Sequence, residues 1–156
     1  MKILVFSDSH GELRFMKKAI LDEKPDQVFH LGDHAQDAER LSRAYPLLPV
    51  ASVRGNCDWS SAQPLIKLLT IQNRRFFLCH GHSYHVKESL LSAIYAAREQ
   101  YADVLLFGHT HVPFCEETPD KIRILNPGCC YGVRPSYGRI VLEQDSMEIK
   151  ILFMEV

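Results

Sequence analysis

The sequence has no hydrophobic run long enough to span a bilayer. Its first apolar stretch, Ile3 to Phe6, is four residues long and ends at Ser7-Asp8. This stretch has neither the length nor the flanks of a signal peptide, and no later run reaches membrane-spanning length. We therefore expect no membrane contact and no export.

Cysteine is sparse and shows no pairing pattern. The five cysteines form no C-x-x-C pair, and their odd number leaves one thiol over in any disulfide scheme. Both features favour a reduced, cytoplasmic protein.

Positive charge is also limited. The chain has 18 lysines and arginines against 19 acidic residues, which gives a formal net charge of −1. No basic block is longer than Lys17-Lys18 or Arg74-Arg75. A broad basic face of the kind that binds duplex nucleic acid is therefore not expected.

The remaining composition is that of an ordinary globular protein. Apolar residues make up 46% and charged residues 24% of the 156 positions, and we find no internal repeat, linker or low-complexity tract. Residues 1–156 are predicted to form a single domain.

Hydrophobic periodicity predicts strands that alternate with helices. The predicted strands in the first two thirds of the chain are 3–6, 28–31, 49–53, 75–79 and 104–107. Three predicted helices carry apolar residues at helical spacing: Leu13, Met16 and Ile20; Ala38, Leu41 and Ala44; and Val86, Leu90, Ile94 and Ala97. Later alternating stretches at 122–125, 138–142 and 147–153 predict antiparallel strands.

Polar residues of the metal-ligand type follow these strands. In open α/β folds, ligands gather at the carboxyl ends of strands. Here the strand ends carry Asp8 and His10, Asp33 and His34, Asn56 and Asp58, His80 and His82, and His109 and His111. Glycines beside them, such as Gly55 and Gly108, would let the backbone turn sharply there.

Carboxylate, amide and imidazole groups together form the mixed oxygen and nitrogen set that divalent transition metals accept. A single histidine is more often packed or solvated than a metal ligand. The coincidence of carboxylates, an amide and several imidazoles at the strand ends nevertheless indicates a metal site. A closed structural site with one ion is disfavoured, because the sequence offers too many ligands for it.

The ordered motifs D-x-H, G-D, G-N-x-D, H-G-H and G-H-x-H resemble the calcineurin-like metallophosphoesterase superfamily, and the resemblance runs from Asp8 to Gly128. The G-N-C-D form around Cys57 is similar to its small bacterial and archaeal phosphodiesterase branch. The resemblance implies an α/β fold, a four-layer αββα sandwich of two mixed β-sheets flanked by helices.

The resemblance also implies how two divalent ions would be held. One ion would be bound by Asp8, His10 and His111, the other by Asn56, His80 and His109, with Asp33 bridging them. Asp33, Asn56, His80 and His109 would be the catalytic group. Mn²⁺ fits the resemblance best, while Ni²⁺, Co²⁺, Fe²⁺ and Zn²⁺ also accept such ligands.

The implied reaction is hydrolysis of a small phosphodiester or phosphomonoester by in-line attack of a hydroxide that bridges the two metals. The alternative is a non-catalytic, metal-binding protein-interaction scaffold of the same fold, like the retromer subunit. Homo-oligomerisation is left open.

Several neighbours of the ligand set have two interpretations. Asp58 would orient a ligand histidine or the first turn of a helix, or lie in a surface turn. Asn56 and His82 are candidate substrate-binding residues, although His82, like His34, also fits an exposed loop residue. Cys57 stands where many relatives carry a histidine that protonates the leaving group.

Other polar residues are assigned outside the site or left open. His30 is expected to be a hydrogen-bonded core histidine, and His85 to be solvated near a helix start. Arg134 precedes Pro135, the reverse of the order in relatives, so its role in phosphate binding is left open.

Overall fold

The computed structural model describes residues 1–155. Its helices are α1 (Arg14–Glu23), α2 (Ala35–Ala44) and α3 (Leu91–Glu99), and a short 3₁₀ turn spans His82–Tyr84. The strands are β1 (Lys2–Phe6), β2 (Gln27–His30), β3 (Val50–Ser52), β4 (Ile66–Ile71), β5 (Arg74–Cys79), β6 (Val104–Leu106), β7 (Phe114–Glu117), β8 (Arg123–Asn126), β9 (Ser136–Leu142) and β10 (Met147–Phe153).

The strands form two mixed five-stranded sheets. The first has the order β10-β9-β1-β2-β3, in which β1, β2 and β3 are parallel and β9 and β10 are antiparallel to their neighbours. The second has the order β4-β5-β6-β8-β7, in which β5, β6 and β8 are parallel and the two edge strands are antiparallel. The expected pair of mixed sheets is confirmed.

The main core lies between the two sheets. Ile3 and Val5 of β1 share one buried cluster with Phe76 and Leu78 of β5. The alternate residues Leu4 and Phe6 face the other way and pack under α1 and α2, in a cluster with Met16, Ile20 and Leu41. On the far side of the second sheet, Phe77 and Leu105 pack against Ala93 and Ala97 of α3. The two-residue period of the strands therefore builds four layers.

Two strands are absent from the sequence prediction, β4 and β7. In β4 the apolar side chains lie on both faces: Leu69 and Ile71 pack on the core, while Ile66 and Leu68 are exposed. This removes the alternation that marks a half-buried strand. The turn Gln72-Asn73, with φ of 46° and 60°, joins β4 to β5 as a tight hairpin.

Two further expectations are wrong in detail. The strand at 122–125 was expected to be antiparallel, but β8 runs parallel to β6 and is antiparallel only to β7. The helix expected from Val86 begins at Leu91, because Val86 is buried in the preceding turn against Gly81.

In the described residues 1–155 no helix has both the length and the apolar character needed to cross a bilayer. All five cysteines lie in this part of the chain and are unpaired thiols.

Candidate metal centre

The carboxyl ends of the parallel strands of both sheets converge at one place. Asp8 and Asp33 follow β1 and β2 of the first sheet, while His80 follows β5 of the second. The His80 Nε2 atom lies 3.5 Å from an Asp33 carboxylate oxygen and 3.9 Å from Asp8 Oδ1. The two sheets thus contribute to a single polar cluster, although its members are far apart in sequence.

The backbone at this cluster adopts a conformation that most side chains avoid. Positive φ angles occur at several of the predicted ligands, namely Asp8 (54°), His10 (47°), Asp33 (54°), His109 (67°) and His111 (60°). Such residues cost of order 1–3 kcal/mol each and concentrate at functional sites. At Gly108 a side chain would collide with Ser7 and with Asp8 Oδ2, so only glycine permits this approach of the strands.

Four of the predicted ligands form a compact group. One donor atom each from Asp8, His10, Asp33 and His111 lies within 4.8 Å of the others. His111 Nε2 lies 3.1 Å from Asp8 Oδ1, and His10 Nε2 lies 3.9 Å from Asp33 Oδ2. This set can hold a divalent cation through oxygen and nitrogen ligands.

Within this group two buried atoms lack hydrogen bonds. Asp8 Oδ1 and His10 Nε2 are both buried and have no hydrogen-bond partner among the described residues, although His111 Nε2 is close to Asp8 Oδ1. An unsatisfied buried polar group costs about 1–3 kcal/mol, so such atoms call for a ligand. A bound cation satisfies both atoms, and the residues present therefore fit a metal.

The aspartates are oriented through their other contacts. Asp8 Oδ2 accepts hydrogen bonds from the Ser7 hydroxyl at 2.6 Å and from the His109 backbone N–H at 3.1 Å, which leaves Oδ1 for the site. Asp33 Oδ1 accepts the Cys57 N–H at 2.9 Å. Burial raises the pKa of Asp33, but the neighbouring His80 and the Cys57 N–H outweigh burial, so the pKa is lowered and the carboxylate stays ionised.

His80 and Asn56 lie in contact, in an arrangement that can hold a cation. The His80 Nδ1–H donates to the Leu31 carbonyl at 2.7 Å, because that oxygen can only accept. In the neutral ring Nε2 is therefore an acceptor, yet it lies 3.1 Å from the Asn56 side-chain oxygen. Two acceptors facing each other repel, and the repulsion is removed by a cation or a proton between them, or by turning the Asn56 amide so that its NH₂ group faces the ring.

His109 lies beside His80, with ring centroids 5.0 Å apart. Burial, followed by the proximity of His80, lowers the pKa of His109 to about 4. The His109 ring is therefore neutral at pH 7 and keeps a lone pair for a metal. Asn56 and His109 thus each lie beside His80, next to the first group.

A buried network supports the D-x-H turn from behind. His30 is fully buried, and because its Nδ1 accepts the Gly32 N–H at 3.3 Å, its Nε2–H donates to the Ser9 hydroxyl at 2.9 Å. Ser9 in turn donates to Asp37 at 2.7 Å, which also accepts the Gly11 N–H at 2.8 Å. The prediction of a hydrogen-bonded core histidine is confirmed. The roles of Ser9 and Asp37 were missed, since Ser9 is the unspecified position of D-x-H and Asp37 lies outside the motifs.

The Asp58 carboxylate forms hydrogen bonds with two backbone segments, the start of α2 and the turn at Gly55. Its carboxylate accepts the Ala35 N–H at 2.8 Å, at the start of α2, and the Gly55 N–H at 2.7 Å. Asp58 therefore holds the first turn of helix α2 and does not lie in an unattached surface turn. The same contact fixes the turn that presents Asn56.

The remaining neighbours of the site differ in exposure. The rings of His34 and His82 lie 5.3 Å from His10 and 5.4 Å from His80 respectively; His34 is exposed and His82 is partly buried. Cys57 lies at the surface. The limited desolvation of its thiol, followed by the nearby Asp33 carboxylate, raises the pKa of that thiol. His85 is exposed, as expected.

Two residues of the loop before β9 differ in their distance from the ligand set: Tyr131 touches it and Arg134 does not. The Arg134 guanidinium lies 4.1 Å from the ring centroid of Phe153, so its contact is with the end of β10. The Tyr131 ring contacts His10 and His111 edge-on, at centroid distances of 5.1 and 6.0 Å. Tyr131 was not predicted, because no motif marks this position.

Two sheets packed between helices, with carboxylates and imidazoles gathered at the strand ends, define a metal-binding α/β sandwich. Residues 1–145 match the model of the calcineurin-like phosphoesterase superfamily domain. The chain belongs to the calcineurin-like phosphoesterase superfamily.

The chain is similar to several known proteins over nearly its whole length. It is 36% identical to a probable metallophosphoesterase of Bacillus subtilis, over 96% of this chain and 89% of that protein. It is 28% identical to a phosphodiesterase of Methanocaldococcus jannaschii, over 99% of this chain and 100% of that protein. The structure of Vps29 from Chaetomium thermophilum superposes with a TM-score of 0.81 at 23% identity, covering 99% and 89% of the two chains, a likeness of fold.

Proposed function

We propose that this protein is a metal-dependent phosphodiesterase that uses two divalent ions. The observation that carries the proposal is the group formed by Asp8, His10, Asp33 and His111, in which two buried donor atoms lack any hydrogen bond. Relatives named metallophosphoesterase and phosphodiesterase, similar over nearly the whole chain, support the same reaction class.

A second ion is supported by the residues next to this group. The Asn56 amide lies 3.1 Å from His80 Nε2, and the neutral His109 ring beside His80 offers a further ligand atom. We assign Asn56, His80 and His109 to this ion, and Asp33 to both, because it lies next to His10 on one side and His80 on the other. Mn²⁺ is the first choice, with Ni²⁺, Co²⁺, Fe²⁺ and Zn²⁺ as alternatives.

When bound, two divalent ions supply an activated water and neutralise the phosphoryl oxygens. Their four positive charges exceed the two negative charges of Asp8 and Asp33, so the centre attracts an anionic ester although the whole chain carries a formal charge of −1. We assign substrate contact to Asn56, which is exposed, and to His82, whose ring lies 6.1 Å from that of His109. Phosphodiesters are the preferred substrates, with phosphomonoesters as further ones.

A second candidate function is a metal-binding scaffold for other proteins. This candidate rests on the fold, which the chain shares with Vps29 at 23% identity. Because one fold supports many functions, this similarity does not decide between the two candidates. The complete set of ligand residues at the strand ends favours the enzyme.

The deciding experiment is hydrolysis of bis(p-nitrophenyl) phosphate by protein stripped of metal and reloaded in turn with Mn²⁺, Ni²⁺, Co²⁺, Fe²⁺ or Zn²⁺. We expect metal-dependent turnover, and we expect Asp33→Asn to lower it by at least about 10²-fold. Asp22→Asn, a change in an exposed aspartate that pairs with Lys18 on α1, is the matched control. No turnover with any of the five metals, in protein that binds them, would favour the scaffold. Near-normal activity of Asp33→Asn at saturating metal would refute its bridging role.

A further inference from the structure

A polar cleft of about 720 Å³ opens beside the candidate metal centre, between α2 and the loop that follows β3. Its inner end is formed by His34 and Cys57, which directly follow the predicted ligands Asp33 and Asn56. The volume lies within the range of about 300–1,000 Å³ that is typical of small-molecule sites. A phosphodiester with its phosphorus at the metals would therefore extend one substituent into this cleft.

The α2 wall of the cleft carries two arginines on one helical face. Arg40 is held by the buried Asp37 carboxylate at 3.2 Å, which limits its mobility. Arg43 lies one turn further along, and its contact with Glu39 is long, at 3.9 Å, so its guanidinium retains free donors. Arginine side chains of this kind bind phosphate and carboxylate groups.

The acidic residue nearest the inner end does not offer free acceptors. Both oxygens of Asp58 are occupied by backbone N–H groups, one of them at the start of α2. Its charge is therefore partly offset by the helix terminus. Glu39, the other acidic residue of the lining, is about half exposed and lies 3.9 Å from Arg43, so two guanidinium groups face one carboxylate that is free to accept.

The opposite wall presents Trp59, the only tryptophan of the chain. Its side chain is 92% exposed, which is unusual for so large an aromatic group. The loop beneath it is fastened, because Ser61 N–H donates to the Asp58 carbonyl at 3.1 Å and the Ser61 hydroxyl accepts the Gln63 N–H at 3.1 Å. An exposed indole on a fixed turn is suited to stack on a planar ring.

From this juxtaposition we infer that the cleft binds the non-leaving substituent of a nucleotide-type ester, with its ring on Trp59 and a second anionic group at Arg43 and Arg40. The inference rests on the proposed function and names its substrate class. Its ligand would carry a base-like ring and a second phosphate, both of which would lie in one cleft of about 720 Å³.

The first test does not depend on turnover. Because Trp59 is the only tryptophan, its fluorescence reports on this cleft alone. Titration with adenosine 5′-monophosphate, excited at wavelengths that the base does not absorb, should quench it saturably, whereas ribose 5-phosphate should not. Arg43→Ala should weaken the affinity for adenosine 5′-diphosphate, and Arg98→Ala, which removes an exposed, paired arginine on α3, should leave it unchanged. Absence of saturable quenching would overturn the inference.

The second test compares two esters with the same leaving group, methyl p-nitrophenyl phosphate and the p-nitrophenyl ester of adenosine 5′-monophosphate. Trp59→Ala should lower kcat/KM for the adenosine ester by about 5- to 150-fold, mainly through KM, and leave the methyl ester unchanged. Tyr101→Ala, a change in an exposed aromatic residue outside the cleft, is the control.

The outcomes separate the two proposals. If the wild type hydrolyses both esters and Trp59→Ala has the same kcat/KM as the wild type for each of them, the assignment of the cleft is wrong. The proposed phosphodiesterase activity is then supported. If neither ester is hydrolysed but quenching by the nucleotide is saturable, the reaction is wrong and the cleft remains a nucleotide-binding site.

Discussion

Replacing Asp8 with asparagine should make the metal-free protein more stable than the wild type and should remove most of the stabilisation that metal gives. Asp8 is fully buried; its Oδ2 accepts two hydrogen bonds, while its Oδ1 accepts none and lies 3.1 Å from His111 Nε2. In Asp8→Asn the remaining oxygen keeps the bonds from Ser7 and His109. The new NH₂ group can donate to His111 and so satisfies the unpaired position.

The size of both effects follows from these contacts. Leaving a buried acceptor unsatisfied costs about 1–3 kcal/mol, which the asparagine recovers in the metal-free state. Metal at one hundred times its dissociation constant stabilises the wild type by about 2.7 kcal/mol. For a chain of this size 1 kcal/mol shifts Tm by about 2–4 °C. We therefore expect metal to raise the wild-type Tm by about 5–11 °C, and the metal-free variant to melt at least about 2 °C higher than the metal-free wild type.

The assay is thermal unfolding of both proteins after dialysis against EDTA and again with Mn²⁺, at a concentration set by the wild-type dissociation constant. Asp22→Asn on the exposed face of α1 should behave as the wild type in both conditions. The reasoning is refuted if Asp8→Asn melts below the wild type in EDTA and gains as much from Mn²⁺.

Three further predictions follow from the site and its surroundings. Alanine at His80 or His109 should remove one ion, and alanine at His10 or His111 the other, as measured by metal titration of each variant. Cys57→His should accelerate hydrolysis of esters with poor leaving groups, by up to about 10²–10⁴-fold, while aryl esters change little, because only alkoxides need a proton. Burial lowers the pKa of His30 to about 4 from 6.5. Between these two pH values the unfolded chain therefore binds more protons than the folded one. The metal-free protein should lose up to about 3 kcal/mol of its free energy of unfolding as pH falls from 6.5 to 4. Denaturant titrations of the wild type and His30→Gln over this range would measure the difference.

Each of these has a contrary result. Two ions bound with wild-type affinity by all four alanine variants would refute the pairing of the histidines. Identical dependence of rate on leaving-group pKa in Cys57→His and the wild type, at equal metal content, would show that this position does not control protonation. Equal pH slopes for the wild type and His30→Gln would mean that His30 is not the group responsible.

The convergence of the ligand residues could be predicted from the sequence because strand ends are local features. Asp8 and Asp33 each follow a short apolar run, and the carboxyl ends of parallel strands share one edge of a sheet. That the second sheet brings His80 against the same carboxylates was implied by family resemblance alone, since periodicity does not show how two sheets face each other.

What the sequence did not show depends on three-dimensional packing. The edge strand β4 has apolar residues on both faces, so its period is hidden, and Ile66 and Leu68 resemble buried positions although they are exposed. Tyr131 and Asp37 reach the site only through the fold. Their contacts with His10 and Ser9 join segments separated by many residues, and no local pattern marks such pairs.

The site joins β1 of one sheet to the loop after β6 of the other, and Asp8 and His109 are 101 residues apart in sequence. Metal held by both segments closes a loop of that length, and a cross-link of about 100 residues restricts the unfolded chain more than a short one does. The ions would then act as a reversible cross-link between the two sheets. Hydrogen exchange should consequently slow in both sheets at once when metal is added, and the amides of β1 and β6 should lose that common protection together when it is chelated.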